Sequence, residues 1–425
     1  MAPTGPRKPV VSAAPGCVAF RTVARTVTLV LVDGAGAPLG SLPPFDVDMP
    51  WWPEAHDIVA GARARWGVDV AVLRLLHADR RAQPGGHVTY VAELTSGGPV
   101  PLAPIPADLA DAAVAPHPLR SGWARPGGPA RSVAWARATL AAAGRPATAI
   151  TQRKTWNLSA LWLLDTAAGP VWLKQVPPFF ASEPAVLHWV ATAAPGSGPT
   201  LLAHADGRML LEHIPGEDRF DATAAEVALM LADLHVIQAD AAKRRDELGA
   251  LGLADRRPES VPAGAAGLVE RHRAGLAAAT ARALDLLLET LPDRLAEVAG
   301  CGLPETLVHG DFHPGNVRGD GRRRVIIDWA DAGIGHPAQD IDRATEALPD
   351  ADAVPLIAAW ADRWRAYAPG SDPRRALALL RPVLALQAAL AYADFLDHIE
   401  PSEWPYHRDD VPHHLTRAAA LAMRP

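Results

Sequence analysis

The sequence predicts an α+β chain in two lobes, β-rich then helical, with a smaller α/β unit ahead of them. Three observations carry this. Runs rich in β-branched residues gather in the first half, as in residues 23–32 and 171–176. After residue 338 the pattern is almost wholly helical. Between them, short apolar runs at residues 307–309 and 324–328 bracket a polar, glycine-bearing hairpin. With 425 residues, 49% of them hydrophobic and 21% charged, the chain has room for two or three domains and an ordinary core.

Taken in order, residues 1–22 read as a flexible tail. A strand at 23–32 runs into the turn Asp33-Gly34-Ala35-Gly36, a helix follows at 54–66, and strands at 68–75 and 88–94 complete a unit assigned to 23–103. Residues 104–131 are rich in Pro and Ala and bounded by Gly/Pro clusters. They read as a linker with a short helix at 107–114. The β-rich lobe and its exit, 132–216, hold a helix at 133–143, strands across 149–164 and at 171–176, a helix at 183–192 and a strand at 209–213. The helical lobe, 217–425, opens with a helix at 222–236 and a long helical region at 264–298.

Composition narrows the function. Net charge is −6, from 41 basic and 47 acidic residues, which argues against a nucleic-acid binder with a basic surface. Two cysteines, Cys17 and Cys301, make no disulfide framework. Residues 1–23 lack a signal-like apolar core, and the apolar run 382–393 is too short to span a bilayer, so a soluble cytoplasmic protein without membrane association is expected. Lysine occurs only at Lys8, Lys154, Lys174 and Lys243, which singles out any lysine inside an ordered element.

The strongest signal is His309-Gly310-Asp311-Phe312-His313-Pro314-Gly315-Asn316, followed by Ile326-Ile327-Asp328-Trp329. The turn Gly319-Asp320-Gly321 folds this stretch back, bringing Asn316 near Asp328. An amide oxygen and a carboxylate are hard donors suited to Mg²⁺, which keeps several waters. Asp311, on the same loop, is placed to take a proton from an attacking hydroxyl. Turn-forming propensity accounts for Pro314-Gly315 but not for three polar groups at this spacing beside an apolar strand.

The pattern His-Gly-Asp-x₄-Asn, then Ile-Asp-Trp, resembles the aminoglycoside phosphotransferase and choline kinase family of small-molecule kinases. The stretch Asp331 to Ile341 is similar to that family too, with His336 where an acidic residue usually precedes the proline. The resemblance implies a bilobal protein-kinase-like fold. It implies that Asp311 and His309 are the catalytic-loop residues, Asp311 as base and His309 ordering the loop, and that Asn316 and Asp328 hold Mg²⁺. It implies a strand lysine paired with a helix glutamate, which Lys174 and Glu183 supply, and a phosphate-covering loop at 153–159 in which Asn157 and Ser159 donate. Glu212 to Ile214 would be the hinge that meets the adenine edge through its backbone. ATP or GTP would be the donor, and the acceptor a small-molecule hydroxyl.

Residues 23–96 resemble a degenerate Nudix hydrolase domain. The positions where that family carries metal-binding glutamates hold Ala60, Gly61, Ala64 and Arg65, so no pyrophosphate hydrolysis is expected. For the acceptor, Asp394, Asp397, Glu400 and Trp404, with Glu403 and Tyr392, form an acidic, aromatic stretch suited to an amine-bearing compound, or else a solvated helix face. Three motifs are decoys. His407-Arg408-Asp409 has His414 where an Asn should stand and reads as a surface turn. The histidines at 398–414 lack zinc-ligand spacing. The glycines after Asp33 mimic a dinucleotide loop but fit a hairpin turn. The expected function is phosphate transfer to an antibiotic or related natural product. The alternatives are a kinase of a metabolic alcohol or sugar, a non-catalytic binding or regulatory protein on the same scaffold, and nucleotidyl transfer.

Overall fold

A computed structural model describes residues 24–321 and 323–423; the expected tail at 1–22 and Cys17 lie outside them. The chain begins with β1 (Arg25–Val32), whose apolar side chains are buried. The Asp33 carboxylate accepts the backbone N–H groups of Ala35 and Ala37 at 2.9 and 2.8 Å, an Asx turn that returns the chain into β2 (Pro38–Ser41). The glycine-bearing run is therefore a hairpin turn, as its spacing indicated. β3 (Phe45–Val47), α1 (His56–Trp66), β4 (Asp69–Ala78) and β5 (Gly86–Ser96) complete the unit. The sheet order is β2-β1-β5-β4, with β3 also on β1; β1 and β5 are parallel and the other ladders antiparallel. On α1, Gly61 packs under Phe45 and Arg65 lies over the Phe45 ring at 5.0 Å. Asp57 is the one carboxylate of this helix, which packs the unit and presents no acidic metal set.

The linker is ordered. Its helix α2 (Ala107–Val114) falls where expected, and Trp123 is buried. The next helix, α3 (Gly128–Ala142), starts five residues before the expected 133, because Pro129 is preorganised for a first helical turn. A second sheet follows, built from β6 (Ala147–Thr155), β7 (Ala160–Thr166) and β8 (Val171–Gln175), then α4 (Glu183–Ala193), β9 (Leu201–Ala205) and β10 (Arg208–Glu212). Its order is β6-β7-β8-β10-β9, antiparallel throughout. The run expected as strand across 149–164 is two strands around a turn at residues 156–159. β9 escaped notice because Leu-Leu-Ala-His-Ala has no β-branched residue and is only half-buried.

In the helical lobe come β11 (Glu217–Asp218), α5 (Ala224–Lys243), α6 (Arg245–Gly249), β12 (Ala254–Arg256), α7 (Pro262–His272) and α8 (Ala278–Gly300). Thr223 and Glu226 form a capping box that starts α5. The long helix expected at 264–298 breaks at residues 273–277, where a 3₁₀ turn ends on Gly275. Short strands β13 (Thr306–Val308), β14 (Val317–Gly319), β15 (Arg324–Ile326) and β16 (Gly333–Gly335) form two small sheets, β11-β14-β15 and β12-β16-β13. α9 (Ala338–Thr345), α10 (Asp350–Tyr367), α11 (Pro373–Asp397) and α12 (Asp410–Ala422) close the chain. One apolar core joins α4 of the β-rich lobe to this lobe through Val186, Val190, Leu234, Trp329 and Leu386. Among the described residues α11 is the one helix long and apolar enough to cross a membrane; 61% of its apolar window is buried within the lobe.

The first unit packs on both lobes. Buried Arg74 on β4 sits 3.3 Å from Glu400, which also takes two nitrogens of the linker's Arg120, the closer at 2.8 Å. Glu403 is buried beside them, its carboxyl pushed up to about 8 by burial and the Glu400 charge.

Candidate active site

The site forms where β8, β15 and the loop after β13 converge. Lys174 is buried on β8, on the face opposite Val171 and Leu173. Its ammonium donates to Glu183 Oε1 at 2.7 Å and to Asp328 Oδ1 at 2.6 Å. Glu183 opens α4, where a carboxylate is favoured by the helix dipole. Burial favours the neutral amine, but the Asp328 and Glu183 charges outweigh it and hold Lys174 charged. Asp328 stands at φ 63, a left-handed conformation rare for a residue with a side chain. Burial opposes its ionisation, and Lys174 reverses that, keeping its pKa below the usual range.

Asn316 and Asp328 sit on neighbouring backbone. The Ile327 N–H donates to the Asn316 carbonyl at 2.8 Å, one residue before Asp328. The Asn316 amide N–H₂ donates to the Asp311 backbone carbonyl at 2.9 Å and to Asp311 Oδ2 at 3.3 Å, which turns its carbonyl oxygen away from Asp311. Among the described residues no three His, Cys, Asp or Glu side chains gather as a metal cluster. A cation here would rest on Asn316, Asp328, water and phosphate oxygens. That small hard-oxygen set fits Mg²⁺ rather than a thiolate- or imidazole-bound metal.

Asp311 is held from three sides. Arg343 of α9 donates through Nε to Oδ1 at 2.7 Å, His313 Nε2 lies 3.4 Å from Oδ2, and Asn316 supplies the third contact. Burial raises the pKa of this carboxyl, yet the Arg343 guanidinium and the His313 ring outweigh it and leave the group well below the ordinary carboxylate range. Asp311 is therefore an ionised acceptor with a fixed orientation. A carboxylate so held is better suited to orienting a hydrogen-bond donor than to taking up its proton.

His309 does not reach the cleft. It is fully buried, its Nε2–H donates to the Ile327 carbonyl at 2.9 Å, and its Nδ1 accepts the Asp311 N–H at 3.4 Å. Burial pushes its pKa down to about 4, so the ring is neutral. From behind the cleft the His309 ring thus ties the loop to the segment after β15 that leads into Asp328. Asp340 on α9 does similar work, accepting the N–H groups of His309 and Gly310 at 2.9 and 3.0 Å. Gly310 stands at φ +88, and a methyl group there would overlap the Asp331 carbonyl, so glycine is required between His309 and Asp311. Asp331 is itself half-buried and paired with Arg256 at 3.1 Å. Burial and the charges of Asp311 and Asp328 push its pKa up to about 7.

The remaining expected residues divide. Ser159 accepts the Trp156 indole N–H at 3.0 Å, and Asn157 is buried with neither amide atom hydrogen-bonded among the described residues. The Glu212 carboxylate takes Arg145 at 2.6 Å. The Ile214 carbonyl accepts Arg318 Nε at 2.8 Å. The acidic stretch is not one patch. Glu400 and Glu403 face the first unit, while Asp394 and Asp397 are exposed and pair with His398 and Arg271. Trp404 donates to the Leu396 carbonyl at 3.0 Å. His407, expected on a surface turn, is buried against Tyr392 and Trp156. Sequence reasoning missed Arg343, Asp331 and Arg256. The stretch after Asp328 was noted, but no local signal says that α9 packs on the loop.

Residues 151–408 match the model of the phosphotransferase enzyme family. The first unit and the linker lie outside that match. Among solved structures, the GDP complex of wild-type aminoglycoside 2′-phosphotransferase-IIIa matches with a TM-score of 0.50 and 14% identity, over 68% of this chain and 98% of that one. Choline kinase LicA from Streptococcus pneumoniae matches with 0.49 and 13%, over 68% and 99%. Macrolide 2′-phosphotransferase MphH from Brachybacterium faecium matches with 0.46 and 18%, over 66% and 97%. At 14% identity the match to the aminoglycoside 2′-phosphotransferase is one of fold. No curated protein matches the chain.

Proposed function

The chain belongs to the phosphotransferase enzyme family, and from that premise we propose that it transfers the terminal phosphate of ATP or GTP to a hydroxyl of a small molecule. The observation that carries this reading is the convergence of Lys174, Asp328, Asn316 and Asp311 from three separate elements. Lys174, fixed by Glu183, binds donor phosphate oxygens. Asn316 and Asp328 hold Mg²⁺, which supplies neutralisation of charge on the phosphates. Asp311 accepts a hydrogen bond from the acceptor hydroxyl and aims its oxygen at the phosphorus. Arg343, His313 and Asn316 keep Asp311 in place and ionised. Asn157 and Ser159 sit in the loop over the phosphates, and the unpaired Asn157 amide gains partners when phosphate enters. The backbone between Glu212 and Ile214 meets the base.

The acceptor meets Asp311 beside Tyr392. The Tyr392 hydroxyl is held far above its ordinary pKa by burial and the Asp410 and Asp311 charges, and its ring stacks on His414. An antibiotic or related natural product is the acceptor class we propose first, with a metabolic alcohol or sugar second. Asp394 and Asp397 sit in exposed pairs that an amine can compete for, whereas Glu400 is buried between Arg74 and Arg120. The test is a panel of hydroxylated antibiotics and metabolites incubated with Mg²⁺ and ATP or GTP, read by mass. A gain of one phosphate in the wild type, reduced roughly a hundred- to ten-thousandfold in Asp311→Asn, supports the reading. A nucleotidyl adduct, or equal turnover in the variant, refutes it.

A further inference from the structure

The most distinctive feature outside the family match is how the first unit grips β6. Gln152 accepts the Val72 N–H at 2.9 Å and donates to the Val72 carbonyl at 2.7 Å. The Ala55 N–H donates to the Arg153 carbonyl at 3.0 Å. Thr155 donates its N–H to Pro53 at 2.9 Å and its hydroxyl to Leu73 at 3.3 Å. Residues on both sides of Lys154 are thus tied to the first unit by five hydrogen bonds, and Trp156 packs into that unit's core.

Lys154 itself faces the other way. A bulge between Gln152 and Lys154 resets the alternation, so Gln152 and Thr155 look toward the first unit and Lys154 toward the cleft. Lys154 lies opposite Leu161 on β7, and Leu161 lies opposite Lys174 on β8, so the two lysines share one row on one face of the sheet. The Lys154 ammonium sits 4.7 Å from the Trp156 ring centroid. Three residues on, in the turn that follows β6, is the buried amide of Asn157, neither atom of which is hydrogen-bonded among the described residues.

We infer that Lys154 is a second phosphate-binding cation, and that the first unit is the positioning scaffold that holds β6 and its turn so that this lysine faces the donor phosphates. The inference rests on the phosphotransfer reading. A lysine on a free strand end would give up rotamer freedom on meeting a phosphate. Here the backbone is pinned beforehand, and the indole face already orders the ammonium. The first unit, which has no acidic metal set on α1, thereby gains a role in the reaction.

The test uses the full chain and calorimetric titration with Mg²⁺-ATP and Mg²⁺-GTP. Lys154→Met should weaken the preferred triphosphate about 10- to 100-fold, the loss of one charge-assisted contact, while Lys154→Arg stays within about threefold. Gln152→Met should raise the nucleotide KM with little change in kcat, and this effect should largely vanish in the Lys154→Met background. If wild type binds and Lys154→Met binds equally well, the second cation is refuted while the phosphotransfer reading stands. If the Gln152 and Lys154 effects simply add, the scaffold role is refuted. If wild type binds neither nucleotide, both readings fall. Melting curves confirm that each variant is folded.

Discussion

Replacing Arg343 by Met removes the strongest positive partner of Asp311. The guanidinium Nε lies 2.7 Å from Oδ1, and both side chains are part-buried. Two unit charges about 4 Å apart at an effective dielectric of about 20 interact by about 4 kcal/mol. Residual solvent screening brings this to roughly 1–3 kcal/mol, or about one to two pKa units. Arg343 holds the carboxyl below its ordinary range, so its loss moves protonation upward, and burial, now less opposed, pushes the same way. The acid limb of kcat/KM against pH should therefore rise by about one to two units. At neutral pH the carboxylate stays ionised but loses one of three orienting contacts, so turnover should fall roughly tenfold. The assay is the pH–rate profile of wild type and Arg343→Met on one phosphorylated acceptor. Superimposable acid limbs and equal turnover would show that Arg343 neither tunes nor positions Asp311.

Other perturbations give equally definite expectations. Gly310→Ala forces a left-handed backbone on alanine and drives its methyl into the Asp331 carbonyl. It should cost about 3 kcal/mol or more, seen as a drop of several degrees or more in Tm. An unchanged melting curve would mean the loop tolerates a Cβ there. Glu403 has a folded pKa pushed up to about 8, above its unfolded value, so its contribution to stability is full below about pH 4 and is lost as pH rises toward 8. Wild type should thus lose stability relative to Glu403→Gln between pH 5 and 8 in denaturant titrations. Parallel curves over that window would contradict the assignment.

Much of the site was legible in the sequence because its spacing is local. The Gly319-Asp320-Gly321 turn obliges β14 and β15 to pair, and that pairing alone brings Asn316 beside Asp328. Lys174 and Glu183 are nine residues apart across one strand exit, and lysine is rare enough in this chain to stand out. What stayed hidden depends on distant packing. Arg343 reaches Asp311 from a helix whose docking no local pattern specifies, and Arg256 reaches Asp331 from β12. Glu400 and Glu403 read as part of an acidic acceptor patch because charge is visible in a sequence and facing is not. Arg74, buried on β4, claims Glu400 from more than three hundred residues away. His309 was recognised by its place in the motif, but its full burial and its bond to the Ile327 carbonyl depend on packing that the motif does not spell out.

The central claim is that Asp328 and Asn316 hold a divalent cation against donor phosphate beside Lys174. Titration of the wild type with its preferred nucleotide, with and without Mg²⁺, against Asp328→Ala tests it most directly. The account predicts tight binding by the wild type that requires Mg²⁺, and loss of that Mg²⁺ dependence in the variant. Binding that is indifferent to Mg²⁺ in the wild type, or equally Mg²⁺-dependent in Asp328→Ala, would contradict it.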